Sequence, residues 1–243
     1  MIKYKTIIVS DIHLGTKDSQ AKEFIKFLDE HPTEQLILNG DIVDGWALQR
    51  GSKWKKQHSK VILKLLELSK KTDIIWIRGN HDDFLKDYFH IKMDNITICE
   101  NYILTIGGQV TSRKYLVFHG DVLDLFSSKW TWIAKIGSIG YDIALTLNTW
   151  YNRYRTWRGL PYYSISKILK HKVKQAVSFI ADFEENAAKI AKQHGCDGVI
   201  VGHIHTPDNK LTRGIHYINS GDWVESKTAI LIDKDNSIKT FGF

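Results

Sequence analysis

Short apolar runs rich in β-branched residues predict buried strands at Thr6–Ser10, Leu36–Leu38 and Ile74–Ile77. Between them, Ala21, Phe24, Ile25 and Leu28 fall at helical spacing, with Ser19 as a cap and Pro32 as a stop. Val61–Leu68 reads as a second helix. Strand, helix, strand, helix, strand implies parallel pairing in an α/β protein. The pattern then changes. Ile96–Ile98, Tyr102–Ile106 and Tyr115–Phe118 predict shorter strands, with Gly107-Gly108 as a turn. Lys167–His194 is helical in pattern, and Gly195 suits the left-handed position that ends a helix. Gly198–Val201, Ile215–Asn219, Thr228–Ile232 and Ile238–Phe241 complete the strands. The expected architecture is a two-sheet mixed β-sandwich flanked by helices. It forms one domain over residues 1–243, with a helical insertion at 124–181 over one end.

Composition narrows the class. A chain of 243 residues can bury one substantial core, and 43% hydrophobic with 25% charged residues fits an ordinary globular protein. Cys99 and Cys196 form no CxxC pair, which argues against a disulfide framework or zinc knuckle and fits a reducing cytoplasm. The N-terminus lacks the apolar region of a signal peptide, and the longest apolar candidate, Trp130–Tyr151, is broken by Lys135 and Asp142. The net charge of +7 is unevenly spread: residues 124–181 hold nine Lys/Arg against two acids, together with four of the eight tryptophans. A basic, aromatic segment is set into a near-neutral remainder.

The candidate chemistry lies in five clusters, most of them just after an apolar run: Asp11-Ile-His13, Gly40-Asp41, Gly79-Asn80-His81-Asp82, His119-Gly-Asp121 and Gly202-His203-Ile-His205. Open α/β sheets place ligands beyond the C-terminal ends of their strands, so these loops are expected along one edge. Glycines at 40, 79 and 202 are read as permitting tight turns. Carboxylate, amide and imidazole groups together make the ligand set of a two-metal hydrolytic site, in which one carboxylate can bridge two cations. Alternation puts Asp11 with His13, and His203 with His205, on one side of an extended chain, and does not decide whether each pair serves one ion or two.

In order and spacing these motifs resemble the calcineurin-like metallophosphoesterase superfamily. The resemblance implies the two-sheet sandwich and a centre of two divalent ions, with manganese, iron or zinc all suiting the mixed nitrogen and oxygen donors and manganese preferred. It implies that Asp11, His13 and His205 hold one ion, that Asn80, His119 and His203 hold the other, and that Asp41 bridges them. His81 matches the catalytic histidine, and Asp82 is expected to orient it. Two such ions acidify a water near neutral pH and offset charge on a phosphoryl group.

Further strings, Ser10–Thr16, Gly40–Trp46, His119-Gly-Asp121 and Gly221–Ser226, are similar to the UDP-2,3-diacylglucosamine pyrophosphatase-like branch, although that branch often carries Arg where this chain has His81. The branch implies cleavage of a lipid-linked nucleotide diphosphate to UMP and a lipid monophosphate, at the inner face of the membrane. Substrate contacts are then expected from Asp44, Asp222 and Trp223, and from Arg153, Arg155, Arg158, Lys167, Lys170 and Lys174 of the insertion. Cations would meet diphosphate, and aromatic side chains would cover acyl chains or sit at a bilayer surface. A solvated helix face or a homodimer interface are the other readings of the insertion, and no nucleic-acid motif accompanies it. A phosphodiesterase or phosphatase acting on a soluble nucleotide or phosphoprotein, and a metal-binding scaffold without catalysis, are the alternative functions.

Overall fold

Side-chain alternation along β1 (Tyr4–Val9) sends Ile7 and Val9 to one face and Ile8 to the other, and all three are fully buried. The same division holds on β2 (Thr33–Asn39), where Leu36 and Leu38 oppose Ile37, and on β3 (Asp73–Ile77), where Ile74 opposes Ile75 and Ile77. A strand apolar on both faces belongs in the middle of a layered core. The three pair in parallel, in the order β1-β2-β3. β4 (Lys92–Met93), β5 (Ile96–Cys99), β11 (Thr228–Ile232) and β12 (Ile238–Gly242) complete a seven-stranded sheet, ordered β12-β11-β1-β2-β3-β5-β4. A five-stranded sheet is built from β6 (Asn101–Gly107), β7 (Ser112–Phe118), β8 (Gly198–Val201), β9 (Asp208–Thr212) and β10 (Ile215–Asn219), in the order β6-β7-β8-β10-β9.

Ile8, Ile37, Ile75, Val117, Ile200 and Ile218 form the core between the sheets. The outer face of the larger sheet is covered by α1 (Ala21–Glu30), through Phe24, Phe27 and Leu28, and by α3 (Lys56–Leu68), through Val61 and Leu65. A five-residue helix, α2 (Gly45–Gln49), precedes α3, and α4 spans Ile165–Gln193. Each fully buried aliphatic side chain contributes on the order of 1.5–3 kcal/mol.

The computed structural model describes residues 3–89, 92–108, 111–125, 151, 153–160 and 165–242, with the side chains of 125 and 165–175 outside that set. The chain divides into two compact units, Met1–Val122 with Glu185–Phe243, and Leu123–Glu184. Both sheets lie in the first. The helical expectation for Trp130–Trp150 falls outside the described residues. No helix among the described residues is long and apolar enough to cross a membrane.

Ser19 does not cap α1 as its position suggests: its hydroxyl donates to the Ile12 carbonyl, 2.7 Å away, and Gln20 occupies the cap without a side-chain bond. Gly195 takes the left-handed conformation expected after α4, with φ +67°.

Candidate metal centre

The loops after β1, β2, β3, β7 and β8 carry the five clusters, and their backbones are unusual. Asp11, His13, Asp41, His203 and His205 all have positive φ, between 48° and 68°. For residues other than glycine this conformation costs of order 1–3 kcal/mol and persists only where the surroundings enforce it. The strain sits on residues read from the sequence as ligands.

The carboxylates and rings converge. Asp11 Oδ1 lies 3.1 Å from His205 Nε2 and 3.8 Å from His13 Nε2. Asp41 Oδ2 lies 3.2 Å from His119 Nε2, 3.8 Å from His13 Nε2 and 3.9 Å from His81 Nε2. Ligand atoms group within 4.8 Å of one another as Asp11, His13 and His205, as His13, Asp41 and His81, and as Asp41, His119 and His203. Asp41 thus stands between the groups built on Asp11 and on His119.

Hydrogen bonds fix which ring nitrogens face inward. His119 Nδ1 donates to the Asn39 carbonyl at 2.9 Å, and His13 Nδ1 to Asp44 Oδ2 at 3.1 Å, so each ring turns Nε2 toward the carboxylates. A cation fits what remains. Among the described residues, His119 Nε2, Asp11 Oδ1 and Asn80 Oδ1 have no hydrogen-bond partner although buried, and the first two lie close to groups across the site. A bound cation would satisfy these groups together.

The electrostatics agree. Burial opposes ionisation of Asp11, yet His205, His119 and His13 hold its carboxyl far below the usual range. Burial likewise opposes ionisation of Asp41, and His119 brings its pKa down to about 2. Burial disfavours charge on His119, and Asp41 and Asp11 override it, giving a pKa of about 10. Without an ion the site draws in protons instead.

Glycine is required here mainly by close approach. At Gly79 and Gly202 a β-carbon would overlap the carboxylates of Asp41 and Asp11, and at Gly40 the His119 ring. Only Gly40 of the three also has positive φ, at +82°.

His81 lies beside the convergence. Its Nδ1 is 3.0 Å from Asp44 Oδ2, its ring packs at 4.4 Å against Trp46, and 23% of its side chain stays exposed. Burial tends to lower its pKa, but Asp44 and Asp41 raise it above the usual histidine value.

Asp82 does not orient His81. Its buried carboxylate accepts from the backbone N–H groups of Gly79 at 2.5 Å and Ile42 at 3.0 Å, tying together the loops after β2 and β3. Asp44 is the acid at His81, and the spacing Gly40-Asp41-x-x-Asp44 carried that signal. Asp44 is buried, and its other oxygen accepts from Ala47 N at 2.6 Å.

Asp222 and Trp223 are not open to substrate. Asp222 is buried and accepts from Val224 N and Ser226 Oγ, closing its own turn. Trp223 is fully buried, 5.0 Å from both Phe24 and Phe27. Its backbone N–H donates to the Asp11 carbonyl, so it supports the first loop from beneath.

Arg153, Arg155 and Arg158 belong to the second unit, where Arg155 and Arg158 lie over the rings of Tyr151 and Tyr154. Lys167, Lys170 and Lys174 fall on α4, with side chains outside the described set.

Arg78 was not legible as a site residue. Its Nη1 reaches Asp83 Oδ1 at 3.0 Å and Asp121 Oδ2 at 3.2 Å, joining the loop of Asn80 to that of His119.

Residues 4–207 match the family model for calcineurin-like phosphoesterases. Over 239 residues the chain is 25% identical to the UDP-2,3-diacylglucosamine hydrolase of Shewanella piezotolerans, an alignment covering 96% of this chain and 95% of that protein. Over 253 residues it is 24% identical to the DNA polymerase II small subunit of Pyrococcus furiosus, covering 91% of this chain but 37% of that protein. A solved structure of a hypothetical protein from Pyrococcus horikoshii shares the fold, with a TM-score of 0.52 and 13% identity over 100% of this chain and 88% of that one.

Proposed function

The chain belongs to the calcineurin-like phosphoesterase family and is a metal-dependent phosphoesterase, and from that premise we propose that it cleaves the diphosphate of UDP-2,3-diacylglucosamine to UMP and a lipid monophosphate. In this reading Asp11, His13 and His205 hold one divalent ion and Asn80, His119 and His203 the other, with Asp41 between them. We take manganese as the ion, while iron and zinc also suit such a mixed nitrogen and oxygen donor set. When bound, the ions supply an acidified water and offset charge on the phosphoryl oxygens.

The chain's own residues do the rest. His13 and His119 are locked in orientation by Asp44 and the Asn39 carbonyl, so the ligand geometry exists before substrate arrives. His81 is partly exposed beside Asp41, and the raised pKa produced by its acidic neighbours favours the protonated ring at neutral pH. That ring hydrogen-bonds a phosphoryl oxygen and gives its proton to the leaving oxygen. Asp44 keeps it charged and Trp46 limits its rotation.

The observation that carries the reading is the convergence of three Asp/His groups, two of which share Asp41 and one of which includes His81. The lipid-linked substrate is supported by the similarity to UDP-2,3-diacylglucosamine hydrolase over nearly the full length of both chains. On this reading the protein works in the cytoplasm, at the inner face of the membrane, with the basic aromatic stretch of 124–181 meeting the lipid. A second reading, phosphodiester cleavage of a soluble nucleotide, is favoured by His81, where the lipid-specific branch often has Arg. The two separate when purified protein with manganese is offered the diacylated nucleotide sugar and a panel of soluble nucleotides. UMP released from the lipid substrate alone, and lost with chelator, is the expected outcome. Preference for soluble diesters would overturn the lipid assignment.

A further inference from the structure

A basic surface in the first unit borders the metal centre. From Gly45 to Leu66 the chain has six Lys/Arg and no Asp or Glu. One of the six, Lys64, is paired with Asp29 at 2.7 Å; Arg50, Lys53, Lys55, Lys56 and Lys60 are exposed.

This segment is anchored to the site loops. Gly45 N donates to the His81 carbonyl at 2.9 Å, and Trp46 lies against the His81 ring. Lys55 Nζ donates to the Lys17 carbonyl at 3.0 Å, and His58 Nδ1 accepts from Gly15 N at 3.1 Å, just past His13. The rim is therefore held in place rather than hanging free.

Its apolar members point out. Trp46 and Trp54 are 42% and 40% exposed, and on α3 Leu63 is 64% exposed, on the same helical stripe as Lys56 and Lys60. The Trp54 indole N–H already donates to Ser59 Oγ at 2.8 Å, which leaves an apolar ring facing outward. Cations interleaved with tryptophan and leucine match the anionic headgroups and acyl boundary of a bilayer surface. Leu63 offers nothing to a nucleotide, which disfavours nucleic acid.

We propose that the rim from Trp46 to Leu63 docks the protein on an anionic lipid surface, with the metal centre facing the bilayer. This deepens the lipid-substrate reading above and rests on it for its purpose, but its test does not use turnover.

The probe is co-sedimentation of the full chain with vesicles of phosphatidylcholine alone or mixed with phosphatidylglycerol. Binding is expected only to the mixed vesicles, falling with salt. The triple change Lys53→Glu, Lys56→Glu and Lys60→Glu should weaken it about 100-fold or more, at about fivefold per lysine lost. Glu at position 56 suits the start of α3, so the fold should hold. Unchanged hydrolysis of a soluble aryl phosphodiester by the triple variant would show that it does. Equal binding to neutral vesicles, binding undiminished in the triple variant, or tight binding of single-stranded oligonucleotide in place of vesicles would each overturn the proposal. Failure here leaves the hydrolase reading standing. Vesicle binding without cleavage of the lipid substrate would remove the substrate assignment alone.

Discussion

His81, Asp44 and Asp82 divide their work by what each carboxylate touches. Asp44 contacts the rings of His13 and His81, while Asp82 accepts only from backbone and indole N–H groups. His81→Ala should therefore keep its metals and lose turnover by roughly 100- to 10,000-fold. Asp82→Asn should instead lower stability by about 1–3 kcal/mol, read from denaturant unfolding. Wild-type turnover in His81→Ala would remove that residue from the mechanism. Protonation gives a second prediction. In the metal-free protein burial disfavours charge on His119, but Asp41 and Asp11 hold its pKa at about 10, above the usual 6.5. The stability this contact gives is complete below pH 6.5 and is lost as pH rises through about 10. An incoming ion must displace that proton, so metal affinity should rise with pH across the same window and binding should release protons. Calorimetry in two buffers of different ionisation heat checks this; a heat independent of buffer would contradict it.

The elements explain what the sequence could and could not reveal. β1, β2, β3, β7, β8, β10 and β11 were legible because each is an apolar run buried on at least one face. β9 was not, because Asp208-Asn-Lys-Leu-Thr212 is polar and lies at the edge of its sheet, paired on one side only. α2 was missed because five residues carry too little periodicity to register. The ligand loops were legible as motifs, but their left-handed backbones and the contact of Arg78 with Asp83 and Asp121 arise only when distant loops meet. That contact predicts an effect at one ion. Arg78→Met should weaken the site of Asn80 and His119 by about 10- to 100-fold, with the Asp11 site nearly unchanged. Two-step metal titration would read this, partial recovery is expected in Arg78→Lys, and equal weakening at both sites would assign Arg78 a general structural role.

At the scale of the whole molecule, two sheets carry loops from both halves of the sequence to one centre, since Asp11 and His205 meet although 194 positions apart. The strand order brings this about: β1, β2 and β3 run parallel, as do β7 and β8, so ligand loops leave from like ends within each sheet. The net charge of +7 is concentrated in residues 124–181 and in the 45–66 rim, and the rest of the chain is correspondingly acidic. Charge and aromatic content thus bear on the partner, whereas the five clusters bear on the chemistry. The mechanism requires two ions meeting at Asp41. Manganese titrated into metal-free protein should bind at two equivalents per chain, and Asp41→Asn should weaken both. One equivalent, or an Asp41→Asn variant that still binds two at wild-type affinity, would contradict it.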